Sequence, residues 1–255
     1  MLDQVHVCKA SASPFASGGL RSFLEYRDLG VRDATEGRWR ASLSRTREQM
    51  DGGTGIHRHV LDVQFIYVLN GSATFEYADF GEFAVVPGDC IYQPSTITHQ
   101  QTWRSKDCVV MEVVSPAAFP TTDTGIEPYE EPLSDATVGK QAFSIVRAAE
   151  TSYQPHQSNA WMRRRDLGIR DATGGRVTVQ LNRMEDSFPG PQPMAACPRD
   201  FTLLFTLQGI GQMDLGERVV NLIPGDCVYL PRGYVHAFIN MSDDYEYLEI
   251  TSPGA

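Results

Sequence analysis

Short stretches of apolar residues, each closed by Gly, Pro, Asn or Asp, recur along the whole of this 255-residue chain. Strand-like segments fall at 38–45, 63–69, 72–77, 91–93 and 109–114, rich in β-branched and aromatic side chains. No segment sustains a 3.6-residue period, so the pattern predicts an all-β fold of the small barrel or sandwich kind. Phe65-Ile66-Tyr67-Val68-Leu69 does not alternate. Apolar on both faces, it predicts a strand covered on both sides.

The pattern also repeats. Arg27-Asp28-Leu29-Gly30-Val31-Arg32-Asp33-Ala34-Thr35 returns as Arg165-Asp166-Leu167-Gly168-Ile169-Arg170-Asp171-Ala172-Thr173, an offset of 138. Asp62 and Gly71 match Asp200 and Gly209 at that offset, and Pro87-Gly88-Asp89-Cys90 matches Pro224-Gly225-Asp226-Cys227 at 137. Met111-Glu112-Val113-Val114-Ser115-Pro116 matches Leu248-Glu249-Ile250-Thr251-Ser252-Pro253. The chain therefore reads as a duplication, with domains at 5–119 and 143–255. Residues 120–142 between them, rich in Pro, Thr, Gly and acidic residues, read as a surface linker. Gly30 and Gly168 read as turn residues.

Chemistry concentrates in the first repeat. His57 and His59 stand two apart, so on a strand both imidazoles point to one side. Gln64 opens the apolar strand that follows, and His99 comes after the Pro87-Gly88-Asp89 turn. Three neutral imidazoles and an amide oxygen suit a divalent transition metal with open coordination positions. The candidate ligands are therefore His57, His59, His99 and Gln64. Alternation from Gln64 puts Ile66 and Val68 on its face, and alternation from His99 puts Gln101 and Trp103 on its face. Those four are the candidate substrate-pocket walls. No catalytic residue is assigned. At the positions of His57, His59 and Gln64 the second repeat carries Ala195, Cys197 and Thr202, while Gly225, Pro231, Gly233, His236 and Asn240 persist. Its turn residues are kept and its ligands are gone. His236 reads as a structural, hydrogen-bonded residue, and the chain should hold one metal, in its first half.

These residues resemble the two motifs of the cupin superfamily. His57-x-His59, four residues, Gln64, six residues and Gly71 follow the first motif, with Gln64 in place of its glutamate. Gly88, Pro94 and His99 follow the second, with Thr96 in place of a glycine and Trp103 in place of an asparagine. The resemblance implies two tandem cupin (double-stranded β-helix, jelly-roll) barrels, the second without metal, facing each other as an intramolecular pseudo-dimer. Pairing of chains into a homodimer stays open. The layout is similar to quercetinases and to gentisate and salicylate dioxygenases, and His57-Arg58-His59 echoes the His-Arg-His of the gentisate enzymes. That implies Fe, with Zn, Ni or Mn as alternatives, and cleavage of a C–C bond with O₂. The other cupin readings are a non-redox isomerase, lyase or cyclase, and a binding or sensing module without turnover.

A small-molecule partner is what the resemblance implies, and composition argues against two other classes. A net charge of −10 with no Lys/Arg run excludes a nucleic-acid footprint, and no apolar stretch is long enough to span a bilayer. The first residues lack a basic segment followed by an apolar run, and the five cysteines form no C-x-x-C pair. Both features are expected of a cytoplasmic protein with free, buried thiols. His6 and His156 are expected to be exposed. Gly52-Gly53-Thr54-Gly55 lacks the Lys-Ser/Thr of a phosphate loop. Arg38 or Arg40 can grip a carboxylate in bidentate fashion, but recurrence of Arg38 as Arg176 in the half without ligands favours a structural role.

Overall fold

The computed structural model describes residues 4–19, 21–122 and 141–253. It is mostly β, built from antiparallel sheets with only a few short helical turns. The chain divides into two compact units, one of Pro14–Glu150 with Asp171–Gly174, the other of Met1–Ser13, Thr151–Arg170 and Gly175–Ala255.

The first of these units carries a six-stranded antiparallel sheet in the order Ser144–Val146, Cys90–Tyr92, Val63–Asn70, Val109–Ser115, Arg40–Thr46, Leu24–Asp28. A four-stranded sheet runs Met50–Asp51, His99–Arg104, Ala73–Tyr77, Gly81–Val85. Their apolar faces meet in a core of Ile66, Val68, Ile91 and Val110 against Ala73, Phe75, Tyr77 and Val85. Removing these side chains from water is the main favourable term holding the two layers together. The sheets stay separate and do not close into a barrel, a correction to the expected barrel geometry. Val63 to Val68 is buried at every position, so both faces of that strand are covered as its unbroken apolar run requires.

The other unit repeats the plan. Its seven-stranded sheet runs His6–Cys8, Cys227–Pro231, Phe201–Gln208, Glu246–Ser252, Thr178–Met184, Met162–Asp166, Gln154–Pro155. Its four-stranded sheet runs Ala195–Ala196, Val235–Met241, Gly211–Asp214, Val219–Leu222.

Two short strands sit elsewhere than the domain boundaries drawn from sequence put them. His6–Cys8 pairs with Cys227–Pro231, and Ser144–Val146 pairs with Cys90–Tyr92. Each is keyed by a repeated turn aspartate. Asp226, fully buried, accepts from Lys9 Nζ and from the Ala10 N–H at 2.7 Å. Asp89 accepts from Arg147 Nη1 at 3.0 Å and from the Ala148 N–H at 2.7 Å. The 120–142 stretch is likewise not all linker, because Thr121–Thr122 is a strand paired with Arg58–His59. The rest of it, 123–140, lies outside the described residues.

Glycine is required where the chain must turn left-handed against a neighbour. A Cβ on Gly71, at φ 68°, would lie 2.7 Å from the Cα of Cys108. Gly30 and Gly168 are turn residues as expected, with φ of 72° and 69°. The five cysteines are buried and none forms a disulfide. His6 and His156 are half-buried rather than exposed; the His156 ring nitrogen accepts the Ser158 and Asn159 N–H groups.

Candidate metal centre

Three backbone contacts place the histidines. His57 and His99 form an antiparallel bridge, each N–H donating to the other's carbonyl at 2.9 Å. His59 pairs with Thr121 on one side, and on the other its carbonyl accepts the Thr96 N–H at 2.7 Å. Just upstream, Gly53 at φ 74° lets the incoming loop pass the Gln101 carbonyl, which a Cβ would approach to 3.3 Å. The ring centroids then lie 4.5 Å apart for His57 and His99, 4.8 Å for His57 and His59, and 5.3 Å for His59 and His99. One ring nitrogen from each falls within 4.8 Å of the other two.

Each ring is also fixed at its far side. His57 Nδ1 meets the Gly55 carbonyl at 2.7 Å, and His99 Nδ1 meets the Ile97 carbonyl at 2.9 Å. A carbonyl only accepts, so both Nδ1 atoms carry the proton and both Nε2 lone pairs are free. His59 Nδ1 is held by the Thr121 hydroxyl at 2.9 Å. Tying the outer nitrogen to fix ring orientation is how proteins present imidazole to a metal. Burial, and the neighbouring histidines and Arg40, pull His59 down to about 3. Burial and His57 pull His99 to about 4. Both rings are therefore neutral near pH 7, the form that ligates. The residues present fit a divalent transition ion.

Gln64 is brought to the same side but is committed elsewhere. It is buried on the inward face that it shares with Ile66, and its Nε2 donates to Glu112 Oε1 at 3.0 Å. A carboxylate must face the amide nitrogen, so the oxygen Oε1 keeps no protein hydrogen bond among the described residues. Ile66 and Val68 point inward as alternation predicted, packed into the core between the sheets. Gln101 also points inward, level with Phe75.

Trp103 does not. A bulge between Gln101 and Trp103 shifts the register, so Trp103 pairs with Thr74 and Arg104 with the core residue Ala73. One inserted residue reverses the alternation and turns Trp103 to the outer face. Arg104 takes the inward place, 1% exposed, and donates to Ser44 Oγ at 3.0 Å and the Ser44 carbonyl at 2.9 Å.

The structure adds residues that the sequence reading missed. Phe119 packs edge-on to His59 at 4.9 Å, and Tyr77 stacks beside His99 at 5.8 Å. Burial raises the Tyr77 hydroxyl far above its ordinary range, and it accepts a hydrogen bond from Gln93. Glu112 bridges Gln64 and Arg40, whose Nη2 lies 3.2 Å from Glu112 Oε2.

In the second unit, Ala195 pairs opposite His236, and the Cys197 thiol sits 3.3 Å from the Thr202 hydroxyl. His236 Nδ1 meets the Tyr234 carbonyl at 3.2 Å. Among the described residues, His57, His59 and His99 make the one cluster of potential ligands.

Residues 47–114 match the family described as Cupin domain. Beyond that stretch the likeness is one of fold: 98% of the chain superposes on 77% of an oxalate decarboxylase from Bacillus subtilis, with a TM-score of 0.66 and 16% identity. Protein Ylba from E. coli, of the DUF861 family, gives a TM-score of 0.67 at 12% identity, covering 99% of this chain and 92% of that one. No curated protein matches at a significant level. Among the described residues, no helix is long and apolar enough to cross a membrane.

Proposed function

We propose that the chain is a two-domain cupin enzyme with one metal, held by His57, His59 and His99, and that it cleaves a small anionic aromatic or dicarbonyl molecule with O₂. The observation that carries this reading is the tethering of all three Nδ1 atoms, with two of the rings held neutral by their surroundings. A divalent transition ion there, iron foremost with zinc, nickel or manganese as alternatives, would supply open positions on which a chelating substrate and O₂ can meet. The chain's own residues do the rest. Phe119 and Tyr77 restrict water beside the imidazoles, and Gln101 and Ile66 shape the inward wall. Gln64 adds no charge, so the centre favours substrates that bring their own. The second unit, with no ligand cluster among its described residues, serves as a structural partner.

Oxygen uptake by iron-loaded protein with a panel of phenols and 1,3-diketones tests the reaction class. Substrate-dependent uptake that disappears in His57→Ala supports the dioxygenase. A second reading, a metal-dependent lyase, is favoured by Glu112, a carboxylate on the inward face beside Gln64, and by the shared fold with oxalate decarboxylase. Turnover of small carboxylates under anaerobic conditions would establish it instead. Saturable binding with no turnover in either assay would leave a binding module.

A further inference from the structure

The inward face next to the three imidazoles carries an arginine that the second unit lacks. Arg40 and Gln64 both pair with Val114 on the strand between them, so their side chains share one face, as does that of Glu112 two residues away. Arg38 recurs as Arg176, but the residue matching Arg40 is Thr178. The carboxylate is kept in both units. Glu249, matching Glu112, accepts from Gln180 at 2.7 Å and Asn182 at 2.9 Å, so neutral amides satisfy it where no imidazole cluster exists. The guanidinium is therefore not needed to house the half-buried carboxylate.

We propose that Arg40 is the anchor for a substrate carboxylate beside the metal centre, gripping it with N–H groups that the protein leaves open. This rests on the metal-site reading above and adds the substrate class. Glu112 is the one hydrogen-bond acceptor that Arg40 has among the described residues, reached through Nη2, which leaves Nη1 open; the Nε atom is buried and has no partner among those residues. About a third of the side chain is exposed, so the head group can be reached. The Phe119 ring ties it to the centre: the guanidinium carbon lies 5.3 Å from the ring centroid, and His59 meets the same ring at 4.9 Å. A planar fork meeting a carboxylate gives the strong, oriented contact that a point charge does not.

The roles of Arg40 and Glu112 have opposite signs. Glu112 occupies the anchor when no substrate is bound, so it competes with an incoming carboxylate.

The test uses two catechols that share one chelating unit, 3,4-dihydroxybenzoate and 3,4-dihydroxybenzamide, titrated calorimetrically into the metal-loaded full chain. The expected result is that wild type prefers the carboxylate about tenfold, the scale of one charge-assisted hydrogen-bond pair. Arg40→Ala should erase that preference with metal content unchanged, Arg40→Lys should restore part of it, and Glu112→Gln should increase it. No preference in wild type, or a preference unchanged in Arg40→Ala, overturns the proposal. Metal content of wild type and His57→Ala, measured separately, reports on the metal site itself, so either idea can fail without the other.

Discussion

Gln64 donates its amide to Glu112 across two neighbouring strands, 3.0 Å from nitrogen to oxygen. The position where the cupin motif carries a glutamate is neutral here, yet a carboxylate is present on the same face, supplied by the adjacent strand. The negative charge has moved by one strand, and a third, Arg40, lies on its other side. The first prediction follows from that contact. Gln64→Glu would set two carboxylates against each other and remove the donor. The metal-free protein should lose about 1–3 kcal/mol in a urea titration at pH 7, the cost of leaving the buried polar group at position 64 without its partner. The loss should shrink when metal is added, because the new carboxylate then has a cation to meet. Equal stability of the two metal-free proteins would show that the Gln64–Glu112 contact contributes nothing.

Thr96 holds φ at 65°, a left-handed backbone that a β-branched residue rarely adopts, at the motif position where the second unit has Gly233 at 79°. It is kept there while its N–H holds the His59 carbonyl. Thr96→Gly should therefore stabilise the protein by about 1 kcal/mol and leave metal content unchanged. A denaturant midpoint that falls would mean that the threonine side chain, through its hydrogen bond to the Ser95 carbonyl at 2.6 Å, outweighs the backbone strain.

Thr121 fixes the outer nitrogen of His59. Thr121→Val keeps the shape and deletes the hydroxyl, so metal affinity measured by chelator competition should drop about tenfold, the lower end for loss of such a partner. Unchanged affinity would show that the packing of Phe119 alone orients the ring.

The pH dependence has a definite sign. His59 at about 3 and His99 at about 4 are depressed below the ordinary 6.5, so the unfolded chain takes up protons that the folded chain refuses. Their contribution to stability is complete above pH 6.5 and is lost as pH falls through 6 and 5 toward those values. The metal-free protein should lose up to about 1.4 kcal/mol per pH unit for each such group in that window. His99→Gln should flatten the slope between pH 6 and 4.5; a slope identical to wild type would assign the acid sensitivity to other groups.

How far the sequence carried depended on whether a feature lies along one strand or between strands. The His57-x-His59 spacing and the inward run Gln64, Ile66, Val68 follow from period-two alternation, and the structure keeps both. Gly71 was legible because only glycine fits where its chain passes Cys108. Trp103 was misplaced because the bulge at Thr102 is a register event, and threonine gives no sign of it. Thr121 falls in the linker on sequence because a two-residue strand is too short to show a period. His6–Cys8 and Ser144–Val146 pair outside the repeats that contain them, and strands of three residues are too short to signal it. The Arg40–Glu112–Gln64 series spans three strands, and the register that assembles it is not written in any one of them.

The central claim is that one metal sits in the first unit on three imidazoles. Elemental analysis of the full chain purified without chelators, alongside His57→Ala and His236→Ala, measures it most directly. The account predicts about one transition metal per chain in wild type and in His236→Ala, and almost none in His57→Ala, because removing one of three ligands takes away a third of the donor set. Equal metal in His57→Ala and wild type, or loss of metal in His236→Ala, would contradict it.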